Sequence, residues 1–590
     1  MQQELHEEVH EEKIDLKLWS QILQFASPYK RYIGFSVLAT VGLAVGDALF
    51  PYMSKVAVDR FVIPETTSGL GWFAAAFALL AVAQSANLYL FISMAGKVES
   101  GLTYTIRKEG FAHLHKLSFS FYDKKAVGWL LARLTSDVNR LGEVVSWGLI
   151  DLLWGAVTMV LYTIIMFALN WQLALLTMTV MPILAVASVY FQKKILRSYR
   201  DVRRMNSRIT GSFNEGIMGA TTTKILSSEE KNLEEFQALT SGLRASGIRA
   251  ATFSALFLPI VLTLSSVGTA LTLWRGGNGV VTGTISYGVL VAFISYTVQF
   301  FEPVREIARI FAEMQMAHAS AERVLGLLNT EPEIKDPPGL TGEWPKLRGA
   351  ITFEDVSFAY NPQEPVLDNF NLQVQPGQTV ALVGETGSGK STIVNLACRF
   401  YEPTKGRILV DGVDYRERPL AWLQSNLGYV LQSPHLFSGT IKENIRYGNL
   451  KATDEEVIRA AELVSAHEFI VKLPKGYDTE VGEGGGLLST GQKQLISFAR
   501  AILADPAIFV LDEATSSIDT ETEQLIQKAI QTVLRGRTSF IIAHRLSTVR
   551  SADMILVIRD GKVQEQGTHD ELMQAQGYYY RLYTNQFLED

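Results

Sequence analysis

The octapeptide Gly384-Glu385-Thr386-Gly387-Ser388-Gly389-Lys390-Ser391 has the residue types and spacing needed to hold a triphosphate. Glycines let successive backbone N–H groups curl round phosphate oxygens, and a helix starting where the loop ends adds its positive dipole. The preceding run Thr379-Val380-Ala381-Leu382-Val383 reads as a buried strand, and Thr392-Ile393-Val394-Asn395-Leu396 reads as a helix start. Strand, glycine-rich turn, Lys-Ser and helix together form a phosphate-binding loop. Gly384 through Thr392 are therefore expected to bind ATP, with Lys390 reaching the β- and γ-phosphates and Ser391 holding Mg²⁺. A second apolar run, Ala507 to Leu511, ends in two carboxylates, Asp512 and Glu513. Asp512 is expected to contact Mg²⁺, directly or through water, and Glu513 to polarise the attacking water as general base. An acidic strand end that only caps the next helix is the plainer alternative, and it loses force behind a phosphate loop.

Such a site needs a domain to position it, and the chain has room for more than one. At 590 residues it exceeds a single hydrophobic core. A net charge of −6 gives no basic field for nucleic acid. The single cysteine, Cys398, excludes an intramolecular disulfide and reads as a buried, inert thiol. The first fifteen residues are rich in Glu and His without an apolar stretch, so no signal peptide is expected there. His6 and His10 in that flank read as solvated side chains rather than a metal site.

Apolar residues concentrate in the first half. Six stretches, near 32–54, 71–95, 146–169, 171–192, 250–274 and 285–306, are each long enough to cross a ~30 Å hydrocarbon core. Residues 16–31 mix apolar and cationic positions at helical spacing, as in a helix lying along a membrane surface. The 96–148 connection carries eight Lys/Arg and the 193–249 connection eleven, whereas the opposite connections carry only Lys55, Arg60 and Arg275. The positive-inside rule then places both termini and the nucleotide site in the cytoplasm of a multi-pass protein of the cytoplasmic (inner) membrane. Both long connections read as helical continuations of the spans that reverse direction, near 118–125 and 211–222, each offering a short docking helix to a cytosolic domain. Asp47, Gln84, Asn87, Gln299 and Glu302 are the polar groups in or near spans, where such groups are expensive and often functional. A structural role is the favoured reading for Asp47 and Glu302, while an acidic group facing a cavity suits a cationic amphiphile. The organisation expected is a tail and interfacial helix at 1–31, a membrane domain at 32–328, a proline-containing linker at 329–349, and an α/β domain with a mostly parallel sheet at 350–590.

Leu488-Ser489-Thr490-Gly491-Gln492-Lys493-Gln494, placed between the phosphate loop and the Asp512-Glu513 strand, carries a family resemblance. Over nearly the whole chain after residue 16 the sequence resembles the exporter class of ATP-binding cassette (ABC) transporters, in the form of a half-transporter similar to bacterial multidrug and lipid exporters. That resemblance implies an all-α six-helix transmembrane domain followed by an α/β P-loop NTPase nucleotide-binding domain. It further implies that Tyr360 stacks on adenine, that Gln432 senses Mg²⁺ and the membrane domain, that Asp519 lies in a loop crossing to the other subunit, and that His544 meets the γ-phosphate. Glu480-Val481-Gly482-Glu483 is similar to the loop peculiar to exporters. Ser489, Gly491 and Gln492 are implied to face the γ-phosphate held by a second subunit, so the chain should act as a dimer with another half-transporter, ATP gluing the two together.

Two positions depart from the family pattern: Thr490 where glycine is usual, and Leu495 where arginine is common. They favour a heterodimer with a related chain slightly over a homodimer. The expected activity is ATP-driven export of a lipophilic substrate such as a drug or lipid. A lipid-sensing or regulatory membrane ATPase that moves nothing, and import through the same architecture, stay open as alternatives. A soluble chromosome- or repair-type ATPase is excluded by the six spans. No peptidase domain is expected ahead of the first span, and no nucleic-acid partner is expected.

Overall fold

The computed structural model describes residues 15–340, 344–512, 520–542 and 546–587. They form two compact units. One comprises the residues up to Lys116 with Lys125–Thr330; the other comprises Leu117–Lys124 with the residues from Glu331 onward.

In the first unit α1 (Leu16–Phe25) is capped by the Asp15 carboxylate, which accepts from the Lys17 amide at 2.8 Å. Its apolar face is spent within the unit: Trp19 and Ile22 are buried in one cluster with Leu102, Ile106, Ala321 and Val324. Among the described residues six helices are long and apolar enough to cross a membrane: α2 (Ser27–Val62), α3 (Leu70–Leu114), α5 (Val127–Leu169), α6 (Trp171–Met218), α8 (Glu229–Val281) and α9 (Tyr287–Leu328). The short helices α4 (Phe119–Lys124) and α7 (Ala220–Ile225) stand at the two reversals. Each expected apolar stretch falls within one of the six, the last beginning at Tyr287 rather than residue 285, because Ser286 caps it by accepting from the Val289 amide at 3.2 Å. The 53 residues of α8 rise about 80 Å at ~1.5 Å each, more than twice a hydrocarbon core.

Of the five polar groups singled out in the spans, four join helices to one another. Asn87 donates to the Ala39 carbonyl at 3.0 Å, and Gln84 donates to the Leu43 carbonyl at 3.0 Å and to Asp47 Oδ1 at 2.9 Å. Gly42 and Gly46 make room for them: a Cβ there would lie 2.3 Å from Asn87 Nδ2 and 2.0 Å from Gln84 Oε1. Small residues on one helix facing amide side chains on the next is a packing mode suited to lipid, where helices gain little from burying apolar surface. Tyr162 donates to Gln299 at 2.9 Å, and Glu302 pairs with Arg305 on its own helix. Buried Asp137 joins α5 to α9, accepting from Arg133 at 3.1 Å, Ser320 at 2.9 Å and Arg323 at 2.6 and 3.0 Å.

The second unit contains two sheets. The larger runs β10-β9-β3-β8-β7-β6, with β3 (Thr379–Val383), β6 (Leu427–Val430), β7 (Ile508–Asp512), β8 (Thr538–Ile542) and β9 (Met554–Arg559) parallel and β10 (Lys562–Gly567) antiparallel at the edge. Its strands are apolar on both faces because both are covered. Ala381, Val383, Phe509, Leu511 and Ile541 enter one core, and the alternate residues Val380, Leu382, Ile508, Val510 and Phe540 enter the other. The expectation of a single mostly parallel sheet is incomplete. β1 (Ile351–Asn361) and β2 (Glu364–Val374) form a long hairpin that pairs on with β4 (Lys405–Val410) and β5 (Val413–Asp414) into a separate antiparallel sheet.

Cys398, at the end of α10 (Lys390–Ala397), is fully buried in the second of these cores, and burial pushes its thiol up to about 12. Only the thiolate is nucleophilic, and burial disfavours that form here. Maleimide labelling is therefore expected to be negligible in the folded protein and complete once guanidinium unfolds it; rapid native labelling would contradict this placement.

Candidate active site

Ligands of parallel α/β sheets gather at the carboxyl ends of the strands. Register puts the carboxyl ends of these strands level: Leu382 pairs with Ile542, Ile542 with Asp512, and Leu511 with Val430. The phosphate loop leaves β3, Asp512 ends β7, and exposed Gln432 lies two residues beyond β6, so three predicted elements emerge from one edge. Glu513, Asp519 and His544 lie outside the described residues. In sequence Glu513 directly follows β7 and His544 follows the end of β8 by two residues.

The phosphate loop is shaped by three glycines with positive φ: Gly384 at 153°, Gly387 at 84° and Gly389 at 106°. At Gly384 a Cβ would meet the Ile558 carbonyl oxygen at 2.2 Å, so backbone there sits against backbone with no room for a side chain. Lys390 is 8 % exposed and its ammonium donates to the carbonyls of Gly384 and Glu385, both at 2.7 Å. Burial pulls this ammonium below the usual lysine range, against the opposite pull of Asp512 and Glu385. The Ser388 hydroxyl is buried, and among the described residues it has no hydrogen-bond partner. A loop with a buried cation hydrogen-bonded to carbonyls and an orphaned hydroxyl is fitted to a polyanion. Ser391 is exposed in the first turn of α10. No cluster of three His, Cys, Asp or Glu side chains able to hold a metal occurs among the described residues. Nucleotide-bound Mg²⁺ needs none, since one carboxylate, one hydroxyl and phosphate oxygens suffice. Ser391, Asp512 and Gln432 each carry a side-chain oxygen of the kind Mg²⁺ takes.

Tyr360, at the end of β1, is 41 % exposed, and its hydroxyl lies 3.3 Å from both Thr392 Oγ1 and Asn395 Nδ2 of α10. The Tyr401 ring meets it edge-on at 5.0 Å, leaving an aromatic face beside the phosphate loop. Elsewhere in this unit α12 (Thr490–Leu503) begins with a capping box: Ser489 Oγ accepts from the Gln492 amide at 3.3 Å and Gln492 Oε1 accepts from the Ser489 amide at 3.0 Å. Ser489 and Thr490 are exposed and Gly491 is buried. Leu495 is 1 % exposed within the core, so an apolar residue there has a packing reason in this chain alone.

Sequence reasoning passed over Arg500 and Asn444. Asn444, on α11 (Ile441–Arg446), is buried, exchanges hydrogen bonds with the Phe437 amide at 2.9 Å and carbonyl at 2.8 Å, and accepts from Arg500 at 2.9 Å. Arg500 also donates to the carbonyls of Asn444 at 2.9 Å and His435 at 3.1 Å. Together they pin the loop after Gln432 to the helix that begins at Ser489. An arginine and an asparagine 56 residues apart carry no local signature. Arg500→Ala leaves the carbonyl of buried Asn444 without its donor, so a loss of about 1–3 kcal/mol is expected, read as a lower unfolding temperature of this unit; an unchanged temperature would show the loop is held otherwise.

α4 belongs to this same unit. Ser118 accepts from the Ile334 amide at 3.0 Å, Ser120 donates to Glu333 at 2.6 Å, and Lys124 pairs with Glu333 at 3.5 Å. Phe119 stacks on Phe400 at 4.4 Å, and Tyr401 donates to Asp123. Tyr401 thus touches α4 with its hydroxyl and Tyr360 with its ring. In the Glu480–Glu483 segment Val481 is buried and its amide donates to the Gly439 carbonyl at 2.9 Å.

Comparison with known proteins agrees with this architecture. The family model described as "ABC transporter transmembrane region" matches residues 33–304, and that described as "ABC transporter" matches residues 367–516. The chain is 38 % identical over 574 residues, 96 % of its own length and 95 % of the relative's, to an uncharacterized ABC transporter ATP-binding protein of Bacillus subtilis. It is 34 % identical to an ATP-dependent lipid A-core flippase of Desulfotalea psychrophila, over 95 % of this chain and 97 % of that one. It is 40 % identical to a fatty acid ABC transporter ATP-binding/permease protein of Mycobacterium bovis, over 80 % of this chain and 74 % of that one.

Proposed function

The chain belongs to the ABC transporter family, as an ATP-hydrolysing half-transporter of exporter type, and from that premise we propose that it drives a lipophilic or amphiphilic small molecule outward across the cytoplasmic membrane by alternating access in a dimer. The observation that carries this reading is α4. A helix lying in sequence between two membrane-crossing helices is bonded into the nucleotide-binding unit through Glu333, Phe400 and Tyr401. Movement of that unit on binding ATP is therefore transmitted to α3 and α5, the helices that flank α4 in the chain.

Within the site, Lys390 and the loop amides grip the phosphates, Tyr360 supports the base, and Asp512, Ser391 and Gln432 hold Mg²⁺. Mg²⁺, when bound, neutralises charge on the phosphates. Glu513 accepts a proton from the attacking water, and Asp519 and His544, which follow β7 and β8 in sequence, complete the site. A single chain has one Lys390 and one Ser489, and the exposed N-terminus of α12 is free to meet the phosphates held by a second copy of the fold. The reversal around α7, which leaves Ile217, Met218, Ile225 and Leu226 exposed, suits a dock on that second half-transporter. With Leu495 explained by packing, the preference for a heterodimer over a homodimer rests on Thr490. The positive-inside charge pattern supports cytoplasmic termini.

In proteoliposomes, ATP is expected to move a labelled amphiphile from the side bearing the nucleotide-binding units to the other. Hydrolysis with no movement of any lipid or drug would overturn export in favour of a regulatory ATPase, and movement in the reverse direction would make the protein an importer.

A further inference from the structure

Between α2, α3, α5 and α9 the membrane unit has an open-mouthed cavity of about 590 Å³, within the size range of small-molecule sites. Three carboxylates line it, Asp47, Asp151 and Glu306. Asp151 and Glu306 share Arg309, at 3.5 and 2.7 Å, and that guanidinium also binds Glu313 at 2.7 Å. Arg305 is drawn to Glu302 and lies 3.7 Å from Glu306. The cluster thus sets five carboxylates against two guanidinium groups. Asp47 takes hydrogen bonds from neutral groups among the described residues, Gln84 at 2.9 Å and Trp154 Nε1 at 3.1 Å. Both of its oxygens accept, and no cationic side chain pairs with it among the described residues. The same bond fixes the indole of Trp154 in the cavity wall, where Phe50 and Phe91 add aromatic surface. Thr40 also lines the cavity; it is 1 % exposed, and its hydroxyl has no partner among the described residues.

We propose that this cavity binds a lipophilic cation, its charge set against Asp47 and the Trp154 ring and its apolar body against the phenylalanines. An uncompensated carboxylate in a low-dielectric span gains most from a cationic ligand, and an indole face prefers a cation to a neutral or anionic group. This deepens the exporter reading, on which its meaning as a substrate site rests, by naming the charge class of the substrate; binding itself needs no ATP and can be measured apart from transport.

The test uses the full chain in nanodiscs of zwitterionic lipid, with tetraphenylphosphonium as probe and tetraphenylborate as an anion of matching size and shape. Saturable tetraphenylphosphonium binding is expected, undisturbed by tetraphenylborate and weakened at least 10-fold by Asp47→Asn. Absent saturable binding, equal displacement by tetraphenylborate, or an Asp47→Asn affinity within twofold of the parent overturns the proposal. Should Asp47→Asn fail to give a monodisperse protein, Asp151→Asn decides, expected to weaken binding at least threefold. ATP-driven movement of neutral or anionic lipophiles alone sinks the cation assignment and leaves the exporter standing. Cation binding that depends on Asp47, without ATP-driven movement of anything, sinks the exporter and leaves the cavity assignment standing.

Discussion

Replacing Glu513 with glutamine is expected to slow ATP hydrolysis by about 10²- to 10⁴-fold while leaving ATP binding nearly intact. The amide keeps the shape of the side chain and loses the ability to take a proton from water, and a positioned general base contributes about that factor. β7 delivers this residue directly after Asp512, whose strand is paired on both sides, to β6 and to β8. Binding survives because the groups that grip phosphate, the loop amides and Lys390, are untouched. A dimer that closes on ATP and does not reopen is the accompanying signature. Single-turnover hydrolysis beside an equilibrium ATP titration separates the two effects; undiminished hydrolysis would remove Glu513 from the role of base.

Lys390→Ala is expected to act on the other half of that division. Truncating one partner of a desolvated charge pair costs about 2–5 kcal/mol, so ATP affinity should fall about 30-fold or more, with hydrolysis lost alongside. Without nucleotide the variant should be as stable as the parent or more so. The parent buries this ammonium against two carbonyls, and burial already pulls it below the usual lysine range. Stabilisation by ligand grows as the logarithm of concentration over Kd, so the rise in unfolding temperature on adding ATP should shrink or vanish. An ATP-induced rise equal to that of the parent would mean that Lys390 does not hold the phosphates.

Legibility differed from one part of the chain to another. The phosphate loop was readable because its chemistry is contiguous: the glycines, Lys390 and the flanking strand and helix are all local, and the structure builds them as the spacing requires. The six spans were readable because a membrane imposes a length and a polarity that no soluble helix needs to meet. The polar residues of the spans were harder. Asn87 and Gln84 look like functional groups along a single helix, yet their donors meet the Ala39 and Leu43 carbonyls of the neighbouring one. Asp47 proves both a helix-to-helix partner and a wall of the cavity, a double role that no periodicity expresses. Leu495 looked like a departure favouring a heterodimer, and its burial in the core gives it a plain packing reason.

By itself the sequence determined the chemistry of the nucleotide site and the number of membrane-crossing helices, because both rest on residues that are neighbours along the chain or on the composition of a single segment. Only the tertiary structure decided that the hairpin of β1 and β2 builds a second sheet, that Arg500 and Asn444 lock the loop after Gln432, and that α4 is bonded to Glu333 and Tyr401. Each of these depends on which face of one element meets which face of another far away in the chain. Helical or strand periodicity identifies a buried face and carries no information about its partner.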